Sequence, residues 1–386
     1  MLTGVATQDG TRRYAGEHPD LTYRCLGTTG LAISEAGMGG YRIALSVPTH
    51  REAVEHALLS GINLIDTSAN YADGESERLV GSVLADLVYR GRLHREGVVL
   101  VTKGGYIQGE NYRRSQERAQ AGHPFPEVVE FHQDLEHCIH PDFLADQLDR
   151  SLQRLDMEGI DCYLLHNPEY FLKWAHLQEV PRDLARTEYL RRIREAFRYL
   201  EGAVESGRIR YYGISSNTFP SPASDDDFSS LSEIWALAET ILPQHHFRVI
   251  ECPCNLFETG AVTTVNQPDG ATVLEFAQAK HLATLINRPL NAIQGDELIR
   301  LADNVYQGDA AAQASAFRAR VASLDPAWTV ASLSHLAVRA LRSTAGITSV
   351  LVGMRQCEYV DDMLQELRQP CVAEDRRTAW EELAGG

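Results

Sequence analysis

The chain has 386 residues, of which 44% are hydrophobic and 23% charged, with 36 Lys and Arg against 53 Asp and Glu for a formal net charge of −17. This is the balance of an ordinary globular protein, long enough to bury a large core without staples. The charge argues against nucleic acid or an anionic membrane surface as the main partner, and no apolar run approaches the roughly 18 residues of a membrane span. Seven cysteines without a framework-like pattern point to a reducing cytoplasm.

In chain order, residues 1–21 are polar, lack an apolar signal core and read as a flexible lead-in to a single unit over 22–386. Tyr23–Leu26 and Leu31–Ile33 flank a Gly27–Gly30 turn and predict a hairpin across the bottom of a barrel. Eight short apolar runs follow, alternating with helix-like stretches: Ser34–Met38, Asn63–Asp66, Val98–Lys103, Ile160–His166, Arg210–Ser215, Val249–Cys254, Leu282–Ile286 and Thr348–Gly353. Repeated βα units of this kind predict a parallel sheet, and eight of them close a (β/α)8 TIM barrel. A doubly wound open sheet is the alternative, but no GxGxxG follows the first run.

Between the runs, Phe143, Leu144, Leu148, Leu152 and Leu155 fall at helical spacing, as do Leu190, Ile193, Phe197, Leu200 and Val204, with Gly207 as a C-terminal cap. Asp325-Pro326 is read as opening a helix that carries Leu333, Leu336, Val338 and Leu341. Four polar or irregular segments, Tyr106–Pro141, Asn167–Glu188, Thr218–Asp227 and Asn291–Asp325, each follow a strand and so belong to the C-terminal face, where barrels build their sites. His123, His132, His137 and His140 in the first match no metal pattern and read as solvated loop histidines, so no metal is expected. Cys252 and Cys254 read as core.

Asp66, Lys103 and His166 end three consecutive strands, and Tyr71 lies in the loop after the first of them. In a barrel these positions converge at the top. A carbonyl that receives hydride needs a proton at its oxygen. A phenol, with an ordinary pKa of about 10, must be tuned to give one, and a nearby lysine ammonium is expected to lower that value. A carboxylate keeps the buried ammonium charged, and an imidazole orients the carbonyl or shares the proton transfer.

The segments GINLIDTSANYADGESERLVG, VTKGG, LLHNPE and GRIRYYGISSN together resemble the aldo-keto reductase superfamily, from about Tyr23 to Leu364. The resemblance implies Asp66, Tyr71, Lys103 and His166 as the catalytic tetrad, and NADP, or else NAD, bound across the barrel top. It implies nicotinamide contacts from Gly39, Gly40, Tyr41, Asp66, Ser215, Ser216 and Asn217, and from the strand-six and strand-seven ends at Glu251, Asn287, Arg288 and Leu290. Gly353, Met354, Arg355, Gln356, Tyr359 and Asp362 are implied at the adenosine phosphate, with Arg355 as partner for a 2′-phosphate. Tyr41, Tyr71, Tyr106, His166, Asn167 and Tyr170 are expected to shape the pocket of a small carbonyl or alcohol substrate.

The chain departs from the family pattern where Glu251 replaces a glutamine, Cys254 a tyrosine, and Asn287 an aromatic residue that stacks on the nicotinamide. In the last helix Tyr359 and Met363 replace an arginine and an asparagine. An ionised Glu251 is expected to favour the positively charged oxidised ring. Two rival readings are a cofactor-binding partner protein, resembling the potassium-channel β-subunit branch, and an aldolase using Lys103 as a Schiff base.

Overall fold

In the computed structural model, which describes residues 1–294, 297–302 and 308–385, the eight apolar runs form eight parallel strands. They are β1 (Ala36–Gly39), β2 (Leu64–Asp66), β3 (Val99–Gly104), β4 (Ile160–His166), β5 (Ile209–Ser215), β6 (Phe247–Pro253), β7 (Ala283–Asn287) and β8 (Ser349–Val352). They close as β5-β6-β7-β8-β1-β2-β3-β4. A helix follows each strand, from Pro48–Leu59 after β1 to Cys357–Leu367 after β8.

Strand alternation sorts each run into two faces. On β3, Leu100 packs outward under the helices while Val99 and Val101 point inward, and on β4 Tyr163 and Leu165 pack outward while Cys162 and Leu164 point inward. Continuing the same period places Lys103 and His166 on the inward face, one step further towards the C-terminal end. Leu64 brings Asp66 with it in the same way, Val249 brings Glu251, and Leu285 brings Asn287. The interior is thus an apolar lower layer capped by a polar upper one.

The hairpin Tyr23–Cys25 and Ala32–Ser34 pairs antiparallel, and Leu26, Leu31 and Ile33, fully buried, join the lower interior layer. This plugs the bottom as expected. Ser34 belongs to this hairpin rather than to β1, because it pairs with Tyr23.

The lead-in is not a loose tail. Residues Gln8–Glu17 form a helix, capped by Thr7 Oγ1 accepting from the Gly10 amide at 2.9 Å. The Ala6 amide donates to Asp161 Oδ1 at 2.6 Å, and the Tyr14 hydroxyl donates to the Leu58 carbonyl at 2.6 Å. A buried carboxylate far off in sequence, and the helix's own buried phenol on a distant carbonyl, hold it to the barrel.

The region after Asp325 is also a correction. Asp325 caps only a short turn, Pro326–Trp328, and the helix carrying Leu333, Leu336, Val338 and Leu341 starts separately at Leu333, capped by Ser332. The irregular segments hold more structure than their polarity suggests. Residues 106–141 fold into a three-stranded sheet (Tyr106–Ile107, Val129–His132, Leu135–His137) and the helix Glu110–Gln120. That helix, ENYRRSQERAQ, buries only Asn111 and Ser115, so no apolar periodicity announced it. Residues 167–188 contain the helix Tyr170–Leu177 and the start of Arg182–Glu205. Asn291–Gln294 pairs with Glu297–Arg300, and Asp309–Ala322 is helical, while positions 295–296 and 303–307 of this expected insertion lie outside the described residues.

Candidate active site

Asp66, Lys103 and His166 meet at the barrel top, as the alternation requires. Lys103 is fully buried. Its Nζ donates to Asp66 Oδ1 at 2.5 Å and to the Thr67 carbonyl at 3.2 Å, and lies 3.4 Å from the Tyr71 hydroxyl. Tyr71, partly exposed, begins a tight turn in which Ala72, Asp73 and Gly74 all have positive φ, of 48°, 55° and 83°. Left-handed conformation at two non-glycine residues in a row is costly backbone, of the kind that clusters at sites where a side chain must be aimed.

A second carboxylate flanks the lysine. Glu251 Oε2 lies 3.3 Å from Lys103 Nζ and makes no hydrogen bond among the described residues, and Oε1 accepts from Ser215 Oγ at 3.1 Å and Asn287 Nδ2 at 3.0 Å. Burial and then the Glu251 charge beside it push the Asp66 carboxyl well above the usual range, against the opposing pull of Lys103. Burial disfavours the Lys103 ammonium, but the two carboxylates outweigh it, and the lysine is held charged.

The tyrosine differs from expectation. Lys103 does lower the Tyr71 phenol, but burial raises it more, and Asp66 and Glu251 add to the rise, so the net direction is upward. The ammonium is the largest opposing effect, but it does not outweigh burial and the two carboxylates together. His166 is driven well below the usual imidazole range by burial, then by the Lys103 charge and His137, and is neutral. Its Nδ1 lies 3.0 Å from Ser68 Oγ.

Around this centre the expected pocket residues gather. Tyr41, 64% exposed, meets the Tyr71 ring edge to face at 5.3 Å, and Tyr106 meets His166 at 4.6 Å and Tyr170 at 5.3 Å. Asn167 Nδ2 donates to the Tyr106 hydroxyl at 2.7 Å. Gly40 is required by close approach, since a Cβ there would stand 2.7 Å from the Asp66 carbonyl. Gly39 ends β1 beside it, paired with Asp66.

Other expected cofactor residues are spoken for. Asp362 is paired with His335 at 2.9 Å, Arg288 with Glu258 at 2.9 Å, Met354 is fully buried and Leu290 packs against the core. Gly353, Gln356 and Tyr359 are exposed. Arg355 is half-buried and makes no hydrogen bond or ion pair among the described residues.

Three residues went unassigned in the sequence. Ser68 orients His166. His137, expected as a solvated loop histidine, is buried, and its Nε2 donates to the His166 carbonyl at 2.7 Å. Glu169 is fully buried, and its Oε1 accepts from the Asn217 amide at 2.8 Å, fixing the loop that carries Ser216 and Asn217. Ser68 and Glu169 sit inside the quoted motifs, and Glu169 had a signal in being a carboxylate just past a buried strand. For His137 nothing local distinguishes it from its neighbours. Among the described residues no cluster of His, Cys, Asp and Glu has the makings of a metal site, and no helix is long and apolar enough to cross a membrane.

The family model for the aldo/keto reductase family matches residues 25–223, a little over half of the 386. Curated relatives include a 6-dehydroglucose reductase of Novosphingobium aromaticivorans, 30% identical over 205 residues, which are 51% of this chain and 52% of that protein. Another is an NADH-specific methylglyoxal reductase of Escherichia coli, 30% identical over 198 residues, 48% of this chain and 53% of that protein. The chain thus spans about half the length of these relatives. A solved glycerol dehydrogenase from Gluconobacter oxydans superposes with a TM-score of 0.59 at 19% identity, over 94% of this chain and 95% of that one, and shares the barrel. On the family match, with the eight-stranded barrel beneath it, the chain belongs to the aldo/keto reductase family.

Proposed function

We propose that the protein is an NAD(P)-dependent oxidoreductase that interconverts a small carbonyl compound and its alcohol, with Tyr71 as general acid in reduction and general base in oxidation. The carrying observation is the convergence of Asp66, Tyr71, Lys103 and His166 on one patch of the barrel top, with Lys103 Nζ bridging Asp66 and Tyr71. The names of the relatives, two reductases and a dehydrogenase, support the same reaction class.

The residues fit a nicotinamide. Glu251 Oε2 and Asn287 Oδ1 are buried acceptors without a hydrogen bond among the described residues, as suits a carboxamide that brings N–H donors. Asn217, its loop held by Glu169, and Ser216 and Ser215 complete that wall. A bound nicotinamide supplies or accepts the hydride. Of this chain's residues, Tyr71 keeps its proton at neutral pH and presents it to the substrate oxygen, while neutral His166, oriented by Ser68, is a hydrogen-bonding partner for the same oxygen. Tyr41, Tyr106 and Tyr170 wall the substrate, with Asn167 locked onto Tyr106. Arg355, without a protein partner among the described residues, favours NADP over NAD.

The held charge on Lys103 argues against a Schiff base, which needs a neutral amine. The test is turnover of a panel of aldehydes, ketones and sugars with NADPH and NADH, followed through the absorbance of the reduced nicotinamide. Turnover supports the proposal. Tight cofactor binding with no turnover across the panel would favour the partner-protein reading instead.

A further inference from the structure

The charge count at the barrel top does not balance. Two carboxyls, Asp66 and Glu251, 3% and 1% exposed, face a single ammonium, Lys103, which is 2.5 Å from one and 3.3 Å from the other. Among the described residues, the remaining groups that face this cluster bring no positive charge. Tyr71 from the loop after β2 keeps its proton, His166 from β4 is neutral, and Ser215 from β5 and Asn287 from β7 are uncharged donors to Glu251 Oε1. Ser215 and Asn287 orient the Glu251 carboxylate without neutralising it, and Oε2 is left without a hydrogen bond among the described residues. A buried, unpaired negative charge is costly, and burial together with the Glu251 charge pushes the Asp66 carboxyl upward, favouring a proton on it. A cation brought alongside them would do the same work as that proton.

We propose that Glu251 makes this site select the oxidised, positively charged nicotinamide over the reduced form, with release of a proton from Asp66. The inference rests on the nicotinamide reading given above. It assigns Glu251 a role in redox-form selectivity, and by stabilising the oxidised ring it makes the bound reduced form the stronger hydride donor. The proton released goes to solvent, and the neutral reduced ring, which brings no charge, leaves it in place.

The experiment titrates wild type and Glu251→Gln with NADP+ and, separately, NADPH, reading dissociation constants by calorimetry and proton release with an indicator dye in weak buffer. Glutamine keeps the acceptor for Ser215 and Asn287 and removes the surplus charge. In wild type, NADP+ is expected to release up to about one proton per site more than NADPH does. In the variant that difference vanishes, and the preference for NADP+ over NADPH falls about tenfold, equivalent to about 1.4 kcal/mol. An unchanged preference, or equal proton release with both forms in wild type, overturns the inference while leaving the cofactor reading intact. Binding of neither form overturns the cofactor reading, and this inference with it. If Glu251→Gln does not fold, the wild-type difference in proton release decides alone.

Discussion

Replacing Glu169 by glutamine should stabilise the protein at alkaline pH and have little effect at acid pH. Glu169 is fully buried just past β4, its Oε1 accepts from the Asn217 amide, and its Oε2 has no hydrogen-bond partner among the described residues. Burial pushes its carboxyl from 4.5 up to about 7, against smaller opposing effects of Lys173 and nearby hydrogen bonds. The folded chain therefore binds a proton more tightly than the unfolded one. Stability is fully present below about pH 4.5, falls as the pH rises, and levels off above about 7. The gap between those two values, at about 1.4 kcal/mol per pH unit, comes to about 3 kcal/mol. Glutamine cannot ionise and keeps the acceptor for Asn217. Thermal unfolding of the two proteins should differ little at pH 5, and at pH 8 the variant should melt higher by roughly 4 °C relative to that baseline. Any cost of burying the extra amide applies equally at both pH values and cancels in the comparison. A melting difference that is the same at pH 5 and pH 8 would refute the reasoning.

Other substitutions probe the frame and the cofactor end. Leu26→Ala, in the hairpin that floors the barrel, removes a fully buried side chain and should cost about 2–5 kcal/mol by urea unfolding. Gly213→Ala should be at least as harmful by the same assay, because a Cβ would stand 1.9 Å from the Val249 carbonyl, where the β5–β6 register shifts. Arg355→Ala should weaken NADPH binding about tenfold or more and change NADH binding by less than about twofold, measured as dissociation constants.

The parts of the molecule legible in sequence are those set by local period. The eight strands are short and apolar, covered on both faces, and their ends fall where alternation carries Asp66, Lys103, His166 and Glu251 inward. What was not legible depends on contacts distant in sequence. The helix Gln8–Glu17 looks like a polar tail until Asp161 and Leu58 supply partners for Ala6 and Tyr14. His137 reads as a loop histidine until the small sheet delivers it to the His166 carbonyl. The upward shift of Tyr71 follows first from burial, to which Asp66 and a second carboxylate some 180 residues further along the chain add; no reading of the Asp66–Tyr71–Lys103 motif by itself contains that burial or that carboxylate.

The central claim is that Tyr71 transfers the proton in a nicotinamide-dependent reaction, and Tyr71→Phe tests it most directly. The variant keeps the ring against Tyr41 and His166 and removes only the hydroxyl that faces Lys103. With any substrate the wild type turns over, kcat should fall about 10²- to 10⁴-fold, while the dissociation constant for NADPH stays within about threefold. Turnover within a few-fold of wild type would contradict the account.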